Sequence, residues 1–312
     1  MKFRPLLSVV LIINLFFVTN SCSKENPVLN QAEIISPDFR MMHVVYYRES
    51  KDGSVIEVRC VESERIISLP KTTKDFSAIK SMLDESISKK TPVSLKLSLV
   101  NSIVEARDPG PHELSIFNNL WIHHNDTIYP EGINRKIISM DELNSIFDYM
   151  EAQGCATGTA EIDHCIPFQY VVDGCYARAH KMRQILLNKY HVSCEKVFSF
   201  EGPSGSLAVD AGDCCVFWWY HVAPLVTVST IYGPKKYVMD PSMFDHPVTI
   251  DEWTTAQENI SCTPWADFGS YDITEGVKFW PYGTMGPYGE DTEDYEWTNT
   301  YLDLYSTLST CD

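Results

Sequence analysis

The stretch Val172-Asp-Gly-Cys-Tyr-Ala-Arg-Ala-His-Lys-Met-Arg-Gln-Ile-Leu186 decides how this chain is read. Asp173-Gly174 is a turn dipeptide, and behind it Cys175, Ala179, Met182 and Leu186 recur at three- and four-residue steps. That is the spacing of one buried face of a helix, with Asp173 as the expected N-cap and Lys189 near the last turn. A thiol in the first turn lies close to unpaired backbone N–H groups and to the positive end of the helix dipole, and both favour the thiolate. The same N–H groups could receive an oxyanion if the sulfur attacked a carbonyl. A capping Asp173 opposes this, so the sulfur needs a base. Without one, Cys175 reads as a small buried residue or half of a disulfide.

His221 supplies the base. It sits within Val216-Phe-Trp-Trp-Tyr-His-Val-Ala223, part of an apolar, aromatic run from Cys214 to Thr230 that is expected to form one buried strand. An imidazole there must find hydrogen bonds or be costly. A turn near Gly233-Pro234 leads into Lys236-Tyr-Val-Met-Asp240, and in an antiparallel hairpin centred on Thr230-Ile231, Asp240 would stand opposite His221. A carboxylate on one ring nitrogen and a thiol facing the other make a nucleophile, base and orienter. Trp218, Trp219 and Tyr220 read first as core residues, with a wall of a substrate cleft as the alternative.

These segments resemble bacterial protein-glutaminase. Val172 to Leu186 is similar to that family's nucleophile segment, Gly212-Asp-Cys-Cys-Val-Phe-Trp-Trp-Tyr-His-Val-Ala223 to its histidine strand, and Met239-Asp-Pro-Ser-Met-Phe244 to its aspartate segment. The likeness runs from about Ile138 to Trp253, with Trp219 and Pro224 departing from the family pattern beside His221. It implies an α+β fold with a transglutaminase-like, papain-related core and a triad of Cys175, His221 and Asp240. It also implies a secreted zymogen that deamidates protein-bound glutamine to glutamate and releases ammonia, with residues 23–135 as a pro-region covering the active site and residues 136–312 as the enzyme. Its partners would be proteins with accessible glutamines, its own pro-region and an activating protease. Spacing alone leaves open a transglutaminase or a cysteine protease with the same triad. It equally leaves open a non-enzymatic surface lipoprotein in which Cys175 is structural.

Working outward, the N-terminal 22 residues read as an export signal. Lys2 and Arg4 precede an apolar run from Leu6 to Val18, too short to span a bilayer. A small residue before Cys22, then Ser-Lys-Glu-Asn, makes Cys22 a lipidation candidate that would anchor the pro-region. The expected location is outside the cytoplasm, secreted or on the cell surface, where disulfides form. The disulfide candidates are Cys155, Cys165, Cys194, Cys214, Cys215, Cys262 and Cys311. Cys155 with Cys165 is suggested by proximity, and the adjacent Cys214 and Cys215 point to opposite strand faces and need different partners. Seven cannot all pair, so one is free or reaches Cys60.

The 312 residues carry a formal net charge of −17, with 44% hydrophobic and 12% aromatic residues. That composition packs a core and excludes polyanionic partners, so no nucleic acid is expected. Residues 22–135 hold 14 basic and 16 acidic side chains against 9 and 26 in residues 136–312, and Tyr129-Pro-Glu-Gly-Ile-Asn-Arg-Lys136 at the seam suits an exposed, cleavable linker near Arg135. No Cys-x-x-Cys or His-Glu-x-x-His motif is present, so neither metal nor other cofactor is expected. The first part reads as a small α+β unit with strands at Met42–Tyr47, Val55–Cys60 and Pro92–Val104. It adds a helix over Phe76–Ile87 capped by Thr72 or Thr73, and a short helix at Glu113–Trp121. None of these segments holds a reactive constellation; His123-His124 reads as solvent-exposed. Ser139 and Glu142 mark a helix start, and the acidic, aromatic tail from Gly289 to Trp297 reads as a solvated face.

Overall fold

Alternating apolar and polar residues in the first third of the chain make strands that bury one face each. The computed structural model describes residues 39–98, 101–119, 136–281 and 295–311; Cys22, the histidine pair His123-His124 and the Arg135 seam lie outside them. In chain order the N-terminal unit is β1 (Arg40–Met42), β2 (Val44–Glu49), β3 (Val55–Cys60), β4 (Ser63–Pro70), α1 (Phe76–Lys89), β5 (Val93–Leu97), β6 (Ile103–Arg107) and α2 (Pro111–Asn119). Ile79 and Leu83 of α1 pack onto Val44, Val58, Ile67, Leu69 and Leu95; a side chain of that size, fully buried, is worth about 1.5–3 kcal/mol.

Three expectations for this unit need correcting. Met42 to Tyr47 is two strands, because His43 turns its ring inward onto Glu62 (Nδ1 to Oε1, 2.6 Å) and donates its N–H to the same carboxylate. Pro92 to Val104 is a hairpin, since Asn101 adopts φ +57° and donates its N–H to the Ser98 carbonyl. The cap of α1 is Asp75, in the left-handed region, not Thr72 or Thr73; the Phe76 N–H reaches back to the Thr73 carbonyl.

The remainder comprises β7 (Ile137–Ile138), α3 (Met140–Ala152), α4 (Cys175–Tyr190), β8 (Glu195–Glu201), β9 (Leu207–Asp210), β10 (Cys215–Trp218), β11 (Tyr220–Thr230), β12 (Gly233–Val238), α5 (Ile250–Thr255), β13 (Phe268–Glu275) and α6 (Glu296–Tyr305). Ser139 caps α3 by accepting the Glu142 N–H. A sheet ordered β12-β11-β8-β13, with β7 parallel to β11, carries α4 across it. Helix α4 is buried well beyond the single expected stripe, because α6 packs against it as well. Of the tail read as a solvated face, residues 289–294 lie outside the described residues; Trp297 at its end does not fit that reading, since with Leu302 of α6 it joins the core.

Three disulfides occur among the described residues: Cys155–Cys165, Cys214–Cys311 and Cys215–Cys262. The neighbouring cysteines do take separate partners, and Cys60, Cys175 and Cys194 remain thiols. The run from Cys214 to Thr230 is two strands rather than one, broken at Trp219. The break matters because a second sheet, ordered β2-β3-β4-β10-β9, runs from the N-terminal unit into the rest of the chain. Arg65 of β4 pairs with Trp218 of β10.

Candidate active site

Helix α4 starts abruptly because Gly174 takes φ +87° as its N-cap. Asp173, the expected cap, does not cap the helix. Its Oδ1 turns to the Gly174 N–H and its Oδ2 accepts from Ser63 Oγ (2.9 Å) and Tyr305 Oη (3.2 Å). A Cβ on residue 174 would lie 2.7 Å from the Tyr305 ring, in a backbone region costly for any L side chain. Gly174→Ala is therefore expected to cost about 2–5 kcal/mol, strain and overpacking together, and to lower kcat by shifting Cys175. Denaturant midpoints and activity of the variant check this; unchanged values for both would refute it.

Cys175 follows, 1% exposed. His221 enters from the start of β11, also 1% exposed. Its Nε2 lies 2.8 Å from Asp240 Oδ2, although the hairpin register differs from expectation. The turn is centred on Ile231-Tyr232, pairing Thr230 with Gly233, so continued register sets Asp240 opposite Ala223. That is two residues from His221 and on the same face, close enough to meet once the chain turns at Asp240-Pro241. Trp253 Nε1 also donates to Asp240 Oδ2 (2.9 Å), and Ser242 Oγ donates to Oδ1. The imidazole stacks on Trp218 at 4.3 Å and lies 5.5 Å from the Trp253 ring. Burial would raise Asp240, but the His221, Ser242 and Trp253 contacts win and hold its carboxyl below the usual range. Burial would lower His221, yet Asp240 and then Glu64 outweigh it and its pKa is raised.

Glu64 is the residue that sequence reasoning missed. It lies on β4, in the unit read as chemically quiet, and is fully buried. The Cys175 N–H donates to its Oε1 (3.1 Å), and its Oε2 lies 3.0 Å from His221 Nδ1. Its backbone is fixed too: the Trp219 N–H donates to the Glu64 carbonyl (3.0 Å), Trp219 Nε1 to the Ser63 carbonyl (2.7 Å) and Tyr220 Oη to the Val61 carbonyl (3.2 Å). Trp219 and Tyr220 thus hold the Val61–Glu64 segment, while Trp218 stacks on the imidazole. Nothing in the local pattern of Cys60-Val-Glu-Ser-Glu-Arg65 distinguishes Glu64 from Glu62.

Arg178, one turn along α4, was also unmarked. Its Nη1 donates to the carbonyls of Tyr170 and Asp173, while Nη2 has no hydrogen-bond partner among the described residues and stands 3.6 Å from Glu64 Oε1. Burial, then the Glu64 carboxylate, push the Cys175 thiol well above its ordinary range; Arg178 opposes this without prevailing. Glu64, Cys175 and His221 bring ligand-type atoms within 4.8 Å of one another, a spacing that would suit a metal ion. The carboxylate, however, is engaged by the Cys175 N–H and the imidazole and comes from the N-terminal unit. What the arrangement offers is a thiol, an imidazole oriented by a carboxylate, and a backbone N–H aimed at a carbonyl-type oxygen.

Comparison with known proteins points to one family. A glutaminase family model matches residues 143–257. A pro-protein-glutaminase structure is 33% identical, with a TM-score of 0.74, covering 88% of this chain and 94% of that one; an A47Q2 mutant of pro-protein-glutaminase is equally similar. The protein-glutaminase of Chryseobacterium proteolyticum is 42% identical over 57% of this chain and 92% of its own, with a TM-score of 0.51. No curated protein matches.

Proposed function

Because this chain belongs to the protein-glutaminase family and carries a pro-region seated on its catalytic core, we propose that it deamidates glutamine side chains of proteins through a thioester on Cys175. The observation that supports this is the Glu64 side chain, whose carboxylate stands in for the end of a glutamine. Its Oε1 marks the carboxamide oxygen at the Cys175 N–H, and its Oε2 the amide nitrogen at His221 Nδ1.

In the trimmed enzyme Cys175 loses the Glu64 charge and the part of its burial that the Val61–Glu64 segment supplies, so the two leading causes of its raised pKa weaken. Arg178 and the start of α4 remain to favour the thiolate. The Sγ–Cδ bond forms as the carbonyl pair moves to oxygen, which rests on the Cys175 N–H with the Arg178 charge behind it. His221 passes its proton to the amide nitrogen, the C–N bond breaks and ammonia leaves. His221 then takes a proton from water, the hydroxide attacks the thioester, and the C–S bond breaks to return the thiol and leave glutamate. Asp240 fixes the imidazole tautomer and supports its charged form. Export fits the three disulfides, which form in oxidising compartments, and the cut near Arg135 would free the enzyme from any anchor on Cys22.

The test is ammonia release from a glutamine-bearing protein, before and after limited proteolysis near Arg135. Ammonia after trimming, from uncut and uncrosslinked substrate and absent with Cys175→Ala, is the expected result. Crosslinked substrate would mean a transglutaminase, and peptides without ammonia a protease. Silence throughout would leave Cys175 structural.

A further inference from the structure

The pro-region meets the core at a second buried site away from Cys175. Arg59, with a fully buried side chain, lays its guanidinium on Glu201 at the end of β8 (Nε to Oε1, 2.7 Å; Nη2 to Oε2, 3.1 Å). Arg48 adds Nη2 to Glu201 Oε2 (3.3 Å), to the Gly205 carbonyl (2.5 Å) and, through Nη1, to the Pro203 carbonyl (3.4 Å). Tyr46 Oη donates to Glu201 Oε1 (2.5 Å), and Lys51 lies over the Trp265 ring. Three cations of the pro-region therefore meet a carboxylate, two carbonyls and an indole of the core. Beside them runs a groove of about 1130 Å³ lined by Arg48, Lys51, Gly205, Phe217 and Trp265.

The ion pairs are balanced only while the pro-region is in place. Arg48 and Arg59 face Glu57 as well as Glu201, and departure of the pro-region removes both arginines and Glu57 together. Among the described residues Glu201 is then left as a carboxylate with no paired cation, flanked by acceptor carbonyls, an arrangement suited to a planar guanidinium. It lies next to the reaction: the Glu201 N–H donates to the Trp219 carbonyl, while the Trp219 N–H holds the Glu64 backbone. Anything bound as β4 is bound, with a glutamine at the Glu64 position, places its neighbouring strand against Glu201.

We propose that Glu201, with the Pro203 and Gly205 carbonyls and Trp265, forms a cation subsite that takes an arginine or lysine of the substrate protein, so that the enzyme selects glutamines lying beside basic side chains. The inference rests on the deamidase reading given above. Its test uses trimmed enzyme and three single-glutamine substrates: a blocked glutaminyl dipeptide without charges, and two peptides of matched length, one arginine-rich and one glutamate-rich. The wild type is expected to favour the basic peptide by about tenfold in kcat/KM at low salt. Glu201→Gln should erase that preference and Glu201→Lys invert it, with turnover of the neutral dipeptide unchanged. Asp251→Lys, an exposed charge reversal on α5, controls for net charge. A wild type without preference overturns the subsite, as does Asp251→Lys shifting the preference as far as Glu201→Lys. If Glu201→Lys fails to fold around Arg59, Glu201→Gln still decides. No ammonia from any substrate would instead sink the deamidase reading.

Discussion

Full-length protein carrying Glu64→Gln is expected to attack itself. The glutamine amide would occupy the space of the Glu64 carboxylate, its oxygen at the Cys175 N–H and its nitrogen near His221 Nδ1. Removing the negative charge also removes the second cause of the raised Cys175 pKa. Reacting atoms held in this geometry gain the advantage of an intramolecular reaction, worth many orders of magnitude in effective concentration. One equivalent of ammonia should leave per chain. Where water reaches the thioester, residue 64 returns to glutamate with a mass gain of about 1 Da; where it does not, the chain keeps a 64–175 crosslink about 17 Da lighter. Intact-mass measurement separates the two, and Glu64→Gln combined with Cys175→Ala should do neither. An unmodified glutamine in a chain whose trimmed form is active would mean that Glu64 does not mimic substrate.

The second large effect is at Asp240, and it depends on which atom is replaced. Asp240→Ala leaves His221 without an orienting partner and the buried Trp253 N–H without an acceptor, since both use Oδ2. Activity of the trimmed enzyme should fall by about 10³–10⁴-fold, the scale seen when a triad carboxylate is lost. Stability should drop by about 1–3 kcal/mol for the stranded donor. Asp240→Asn can turn its carbonyl oxygen to the Oδ2 position, satisfy both donors and present its amide to Ser242. It keeps the tautomer but loses the charge that supports the imidazolium and the acceptor of the Ser242 N–H, which donates to Oδ1 (3.3 Å). Its loss should be nearer 10²-fold, with the fold intact. Steady-state kinetics and thermal melts of the two variants check this. Equal losses for both would place the effect in charge alone.

The segments around Cys175, His221 and Asp240 were legible because their evidence is local. A turn glycine before a helix, a histidine in an apolar strand and an aspartate after the next strand can each be recognised within a dozen residues. The disulfide between Cys155 and Cys165 followed from proximity for the same reason. What escaped was tertiary. The aspartate before Gly174 looked like a cap, but Ser63 and Tyr305, far away in sequence, claim its side chain. The strand break at Trp219 exists because its backbone serves Glu64 on one side and Glu201 on the other. Trp297 is apolar beside acidic neighbours, and only the packing of α6 on α4 shows which of these prevails. Glu64 carried no signal, since a glutamate in a strand is ordinary until its neighbours across the fold are known.

The sheet that crosses from β4 to β10 implies a change in how the enzyme is held together over its lifetime. Before trimming, β10 is an interior strand of five. Afterwards it keeps only β9 as a paired neighbour, a two-stranded ribbon of the kind that needs further packing in water, and Val209, Val216 and Trp218 supply some by packing with Val171. The bonds at Cys214 and Cys215 anchor that ribbon to the C-terminal segment and to Cys262. Loss of the Trp218–Arg65 pairing thus leaves β10 held by β9, its apolar packing and covalent links. Reductant should therefore be tolerated better by the zymogen than by the mature enzyme, a difference that activity measured with and without dithiothreitol checks.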